Sequence, residues 1–205
     1  MILTKKVTLT NLSSGSTNEH DFKSKKLLHV KATHEAGHFI AIKSQFPSAS
    51  VRMISGKYGV TVSDELDSLD ILTKERLNKV LITLLGGRAA EEVMYGEEQV
   101  SHGSSDDMKR ATSMAKQVLV SLGAISQCEG VDVSQLRTFE GKVDQEANKV
   151  VNTAYQEAKS LVNRYKKGIE QVTDMLLNDD YILESSLNFI ELEKQGDSVY
   201  AQRLH

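Results

Sequence analysis

The chain has no tryptophan, one proline and one cysteine among its 205 residues. The lone Cys128 has no second cysteine to pair with, which excludes an internal disulfide framework and fits a reducing, cytoplasmic setting. Pro47 is the only proline, so long stretches carry no obligatory helix breaker. No apolar run approaches the roughly 20 residues of a membrane span, and the N-terminus lacks the apolar core of a signal peptide. A net charge of −3 with no large basic block argues against a nucleic-acid partner. What remains is an ordinary balance, 40% hydrophobic and 26% charged, in a chain long enough to bury a real core. Together these features point to a mainly α fold.

Periodicity divides the chain. Residues 1–23 are polar, with Asn11 to Asn18 rich in Ser, Thr and Asn, and read as a flexible N-terminal arm. A first helix is expected from Ser24 as N-cap to Gln45, just before Pro47. Residues 51–54 and 58–62 read as two short strands around a Ser55-Gly56-Lys57 turn. An edge of this hairpin can either bind an extended peptide by strand addition or be purely structural. Thr73 is expected to cap a helix to Tyr95, stopped by Gly96. Gly37 and the pair Gly86-Gly87 interrupt helical patterns, where a glycine usually admits a close neighbour. A third helix starts at Ser104 or Ser105, with Asp106 and Asp107 in its first turn. Residues 123–138 read as loop and Phe139 to Leu177 as a long amphipathic helix that Gly168 breaks or bends. Ile182 to Leu192 reads as a short closing helix, and residues 193–205 as a frayed tail. The main domain is therefore 24–192.

The chemistry is concentrated in His34-Glu35-Ala36-Gly37-His38. Histidines four apart lie one above the other on a helix face, so two imidazoles can share one metal ion with Glu35 beside them. Zinc is the default metal for such a nitrogen and oxygen set. A plain pair of surface histidines is the alternative. A catalytic zinc site needs a third protein ligand. Asp106 and Asp107 both offer a carboxylate, or both simply favour the positive end of the helix dipole. Glu91 and Glu92 are either solvated or, for one of them, a group that orients a ligand from behind.

Several segments together resemble the peptidase domain of the FtsH-type (AAA) ATP-dependent zinc metalloproteases. Besides the pentad, Leu84-Leu85-Gly86-Gly87-Arg88-Ala89-Ala90-Glu91-Glu92 with Tyr95-Gly96 is similar to that family's "LLGGRAAEE…(Y/F)G" segment. Val100 to Met108 with Ala111-Thr112 is similar to "VSTGAxNDL…AT", and Gly59-Val60-Thr61 to "LGxT". Val143-Asp144-Gln145-Glu146 and Ala154 to Ala158 resemble "IDEEV…AYxxA". Order and spacing agree over about residues 28–177. The resemblance implies a compact helical, zincin-type metallopeptidase domain with a small β-hairpin near the active site. It implies Zn2+ held by His34, His38 and Asp107, with Glu35 as general base and Gly59, Val60 and Thr61 as the substrate-pairing edge.

The expectation that follows is a zinc endopeptidase acting on flexible or unfolded polypeptides. The sequence contains no G-x-x-x-x-G-K-[S/T] phosphate loop, so it is expected to work without its own ATPase. The alternative is a zinc- and peptide-binding regulatory module, or a proteolytic subunit recruited by a separate ATPase. Homo-oligomers are open in either case.

Overall fold

The computed structural model describes residues 17–57, 60–63, 73–121, 133–179 and 181–183. Among them the order is α1 (Thr17–Gln45), β1 (Val51–Ser55), β2 (Val60–Ser63) and α2 (Lys74–Tyr95). Two 3-10 turns follow (Glu97–Gln99 and His102–Ser104), then α3 (Ser105–Ser121), α4 (Val133–Arg164), α5 (Lys166–Asn178) and β3 (Ile182–Leu183). The mainly helical fold with a small hairpin is the one the chain adopts.

α1 and α2 form the centre. α2 is buried without a break from Val80 to Gly87, and α1 buries Phe39, Ile40, Ala41 and Ile42 in succession. Such stretches have no wet face and must be covered on all sides. α4 covers α2, α5 covers α1, and α3 packs on both α2 and α4. The two central helices meet backbone to backbone. A Cβ on Gly37 would stand 2.4 Å from the Gly86 carbonyl oxygen, and one on Gly86 would stand 2.8 Å from the Gly37 oxygen. The glycines are therefore where the helices cross. Thr73 caps α2 as expected, its hydroxyl accepting the Arg76 N–H at 3.1 Å. Gly96 ends α2 at φ 93°, a conformation other residues rarely adopt.

Four expectations need correction. α4 begins at Val133 rather than Phe139, so residues 133–138 of the expected loop are helix, and residues 123–132 of it lie outside the described ones. α1 begins at Thr17, not Ser24, so the arm expected over 1–23 is helical from residue 17, and residues 1–16 lie outside the described ones. The extension has little apolar period, but lengthening an existing helix escapes the nucleation cost. The long late helix breaks at Tyr165 (φ −108°, ψ 25°), while Gly168 lies buried within α5. The break lets the buried Tyr165 ring turn inward and sends α5 across α1. Ile182 and Leu183 are strand rather than helix, and the remainder of the expected closing helix, with the tail 193–205, lies outside the described residues.

The sheet is antiparallel in the order β2-β1-β3. Ile54 stands opposite Thr61 on one side and Ile182 on the other. Cross-strand partners share a face. Ile54 is fully buried and Ile182 nearly so, so Thr61 is turned toward the core as well. A register shift between Val51 and Met53 marks a bulge in β1. β2 is an outer strand of the sheet among the described residues.

Candidate metal centre

α1 supplies His34 and His38 from successive turns of one face, and Glu35 from the position next to His34. The start of α3 supplies Asp107, which the 3-10 turn His102–Ser104 aims back at α1. His34 Nε2 lies 3.0 Å from His38 Nε2 and 3.0 Å from Asp107 Oδ2, and His38 Nε2 lies 3.3 Å from the same oxygen. Four ligands at about 2.0–2.1 Å from a tetrahedral zinc stand about 3.3 Å from one another. The triangle therefore has about the size of one face of such a tetrahedron. His34, His38 and Asp107 are the one group of three metal-ligating side chains so gathered among the described residues.

The tautomers agree with this reading. His38 Nδ1–H donates to the Thr83 carbonyl oxygen at 2.9 Å, and a carbonyl can only accept. His34 Nδ1–H donates to Glu91 Oε1 at 2.6 Å. Both Nε2 lone pairs consequently face each other and a carboxylate, which is unfavourable unless a cation sits between them. Without a metal, a proton serves. Burial alone would lower the His34 pKa, but hydrogen bonds to Asp107 and Glu91 and the charges of Glu35 and Asp107 outweigh it, and the imidazole is pushed up to about 9. Burial likewise works to raise the Asp107 pKa, and the two imidazoles overrule it, holding the carboxyl well below the usual range.

α2 backs the site. A Cβ on Gly87 would meet the His34 ring at 2.6 Å, so glycine there makes room for the imidazole. Glu91, with no exposed surface, accepts the His34 Nδ1–H, the Ser101 N–H at 2.5 Å and the Ser101 hydroxyl at 3.1 Å. Glu92, its neighbour, points elsewhere. It accepts from the Tyr155 hydroxyl and from Lys159 Nζ at 2.9 Å, tying α2 to α4, so it does not contact the histidines. Ser104, offered above as a cap, donates its hydroxyl to the Ser101 carbonyl at 2.8 Å and accepts from Arg88 at 3.3 Å.

The two aspartates separate cleanly. Asp107 joins the triangle, whereas Asp106 is exposed and pairs with Lys109 at 2.9 Å. Glu35 is 4% exposed, and its Oε2 accepts the Thr61 hydroxyl at 2.6 Å. Of the expected substrate edge, Val60 and Thr61 lie in β2 and Gly59 lies outside the described residues. A cleft of about 290 Å³ opens over the triangle, lined also by Ile42, Leu84, Gly103 and Arg110. Sequence reasoning missed Ser101, the Thr83 carbonyl and the Thr61–Glu35 bond. Main-chain partners leave no side-chain signature, and the bond depends on strand register.

This arrangement can hold a divalent ion on two neutral imidazoles and a carboxylate, with a buried carboxylate alongside. The model of peptidase family M41 matches residues 21–190. The ATP-dependent zinc metalloprotease FtsH of Thermotoga maritima is 27% identical, over 88% of this chain and 33% of its own length. FtsH 1 of Sorangium cellulosum is 30% identical over 80% of this chain and 29% of its own. The chloroplastic/mitochondrial FTSH 11 of Arabidopsis thaliana is 26% identical over 92% and 24%. The chain thus spans a third or less of the length of these relatives. With the family model covering most of the residues on a helical fold that gathers His34, His38 and Asp107, the chain belongs to peptidase family M41, alongside the peptidase region of the FtsH-type zinc metalloproteases.

Proposed function

We propose that the chain is a zinc endopeptidase in which His34, His38 and Asp107 hold Zn2+ and Glu35 is the general base. The observation that carries this is the Nε2–Nε2–Oδ2 triangle, with sides of 3.0, 3.0 and 3.3 Å, beside the buried Glu35. When bound, the metal would make water a competent nucleophile near neutral pH and polarise a carbonyl. The protein's residues do the rest. Glu35 takes a proton from the attacking water and returns it to the leaving amine. Glu91 and the Thr83 carbonyl keep each Nδ1 protonated and each Nε2 free. Asp107 supplies a negative charge that offsets half that of a dication.

The substrate class follows from β2. Among the described residues no strand pairs with the outer side of β2, so an extended peptide can pair there and lie along the cleft. Only a flexible or unfolded segment offers such a backbone, and hydrolysis of one needs no ATP. A second reading, a proteolytic subunit fed by an ATPase, is favoured by the relatives' printed names, which describe ATP-dependent proteins. It predicts that folded substrates are cut only when an ATPase and ATP are present. Homo-oligomers and a cytoplasmic location belong to the same proposal. No helix among the described residues is long and apolar enough to cross a membrane.

The test is hydrolysis of casein or a disordered peptide by zinc-loaded protein, with chelator, zinc add-back and Glu35→Gln as controls. Glu35→Gln should bind zinc and lose at least about 100-fold in rate. Equal inertness of wild type and variant, both carrying zinc, would refute the enzyme.

A further inference from the structure

We propose that Thr61 is a positioning residue for Glu35, its hydroxyl holding the carboxylate while its main chain belongs to the strand on which substrate is read. The proposal rests on the endopeptidase reading above and extends it to a residue that touches neither metal nor leaving group. Thr61 stands opposite the fully buried Ile54, so its side chain is turned inward toward α1. There its Oγ1 donates to Glu35 Oε2 at 2.6 Å. Among the described residues no other donor reaches this carboxylate, although it is 4% exposed. A terminal carboxylate torsion is broad and roughly two-fold, so an unheld carboxylate samples many orientations. With Oε2 fixed by the hydroxyl, Oε1 is left for the cleft that Glu35 and Thr61 line together with His34, His38 and Asp107.

The placement has a second effect. Thr61 is the meeting point of two functions, since strand addition would use β2 main-chain groups while the same residue's side chain sets the base. A peptide that seats well on β2 therefore also steadies Glu35. One that seats poorly leaves the base free to turn, and discrimination enters kcat rather than binding alone.

Two variants and a cycle test this. Thr61→Val keeps size and β-branching and removes the donor, whereas Thr61→Ser keeps the donor. With zinc-loaded protein and a fluorogenic casein-derived peptide, Thr61→Val should lower kcat about tenfold or more. KM should stay within about twofold, zinc content should be unchanged, and Thr61→Ser should recover most of the rate. Independently of turnover, denaturation midpoints of zinc-free Thr61→Val, Glu35→Ala and the double variant should be non-additive, because both single changes break one bond. A wild-type kcat in Thr61→Val, a Thr61→Ser variant as slow as Thr61→Val, or additive midpoints would each overturn the positioning role while leaving an active wild-type enzyme intact. A zinc-loaded wild type that cleaves nothing would instead bring down the endopeptidase reading, and the proposal with it.

Discussion

Glu91→Gln separates a carboxylate that orients a metal ligand from one that merely fills space. Glu91 accepts three hydrogen bonds, one from His34 Nδ1–H and two from Ser101. Glutamine is nearly isosteric but has a single acceptor oxygen. If that oxygen faces His34, the amide NH2 confronts the Ser101 N–H, donor to donor, where the carboxylate oxygen now stands at 2.5 Å. A buried donor left unpaired costs about 1–3 kcal/mol. In a domain of this size 1 kcal/mol moves Tm by roughly 2–4 °C, so the metal-free variant should melt about 2–12 °C lower. The second loss is specific to the metal. The carboxylate raises the basicity of His34 and fixes its ring, and removing such a partner typically weakens metal binding 10–100-fold, or about 1.4–2.7 kcal/mol. Zinc competition against a chromophoric chelator at neutral pH measures the affinity, and thermal melts with and without zinc measure stability. Glu92→Gln is the matched control. It also disturbs an interior contact, to Tyr155 and Lys159, but on the face toward α4. It should lower Tm and leave the zinc dissociation constant within about twofold. An unchanged zinc affinity in Glu91→Gln, or an equal loss in both variants, would refute the reasoning.

Asp107→Asn should lower bound zinc sharply by elemental analysis, since it removes the charge and leaves only a neutral amide where the carboxylate oxygen stands 3.0 Å and 3.3 Å from the two Nε2 atoms, whereas Asp106→Asn should retain it. In the metal-free protein, the raised His34 pKa has a definite sign. Protonated His34 stabilises the fold fully below pH 6.5, and that contribution, about 3 kcal/mol at most, is lost as pH rises through about 9. Circular-dichroism melts should therefore show Tm falling across this window without zinc and staying flatter with it; a pH-independent metal-free Tm would contradict the charged imidazole. Because the metal must displace that proton, calorimetric titration of zinc at pH 7.5 in buffers of different ionisation heat should show proton release.

Much of the site was legible because its chemistry is local. His34 and His38 need only helical spacing, and Thr73 and Gly96 announce the ends of α2 by cap chemistry. The choice of Asp107 over Asp106 was not readable from spacing, and the resemblance supplied it. Both residues suit a helix start, but only Asp107 is turned toward α1. Glu91 and Glu92 were indistinguishable for the same reason, since one step of about 100° around a helix separates a ligand partner from an α4 contact. The start of α1 at Thr17 was hidden by polar composition. β3 was hidden by distance, because Ile182 is a strand only by virtue of Ile54, far back in the chain. The bend at Tyr165 came from packing, without help from the nearby glycine.

The crossing of α1 on α2 through Gly37 and Gly86 bears on how the metal is loaded. His34 and His38 sit on a helix held by this crossing, so in the proposed enzyme their ordering entropy would be met during folding rather than at metal binding. Unlike a zinc finger, whose chain collapses only around its ion, the proposed enzyme would have a helix crossing that needs no ligand to pack. On that reading zinc would leave and return as a small solute entering a finished socket. Exchange should then be governed by ligand protonation and access through the cleft, with the helical framework preserved throughout the cycle.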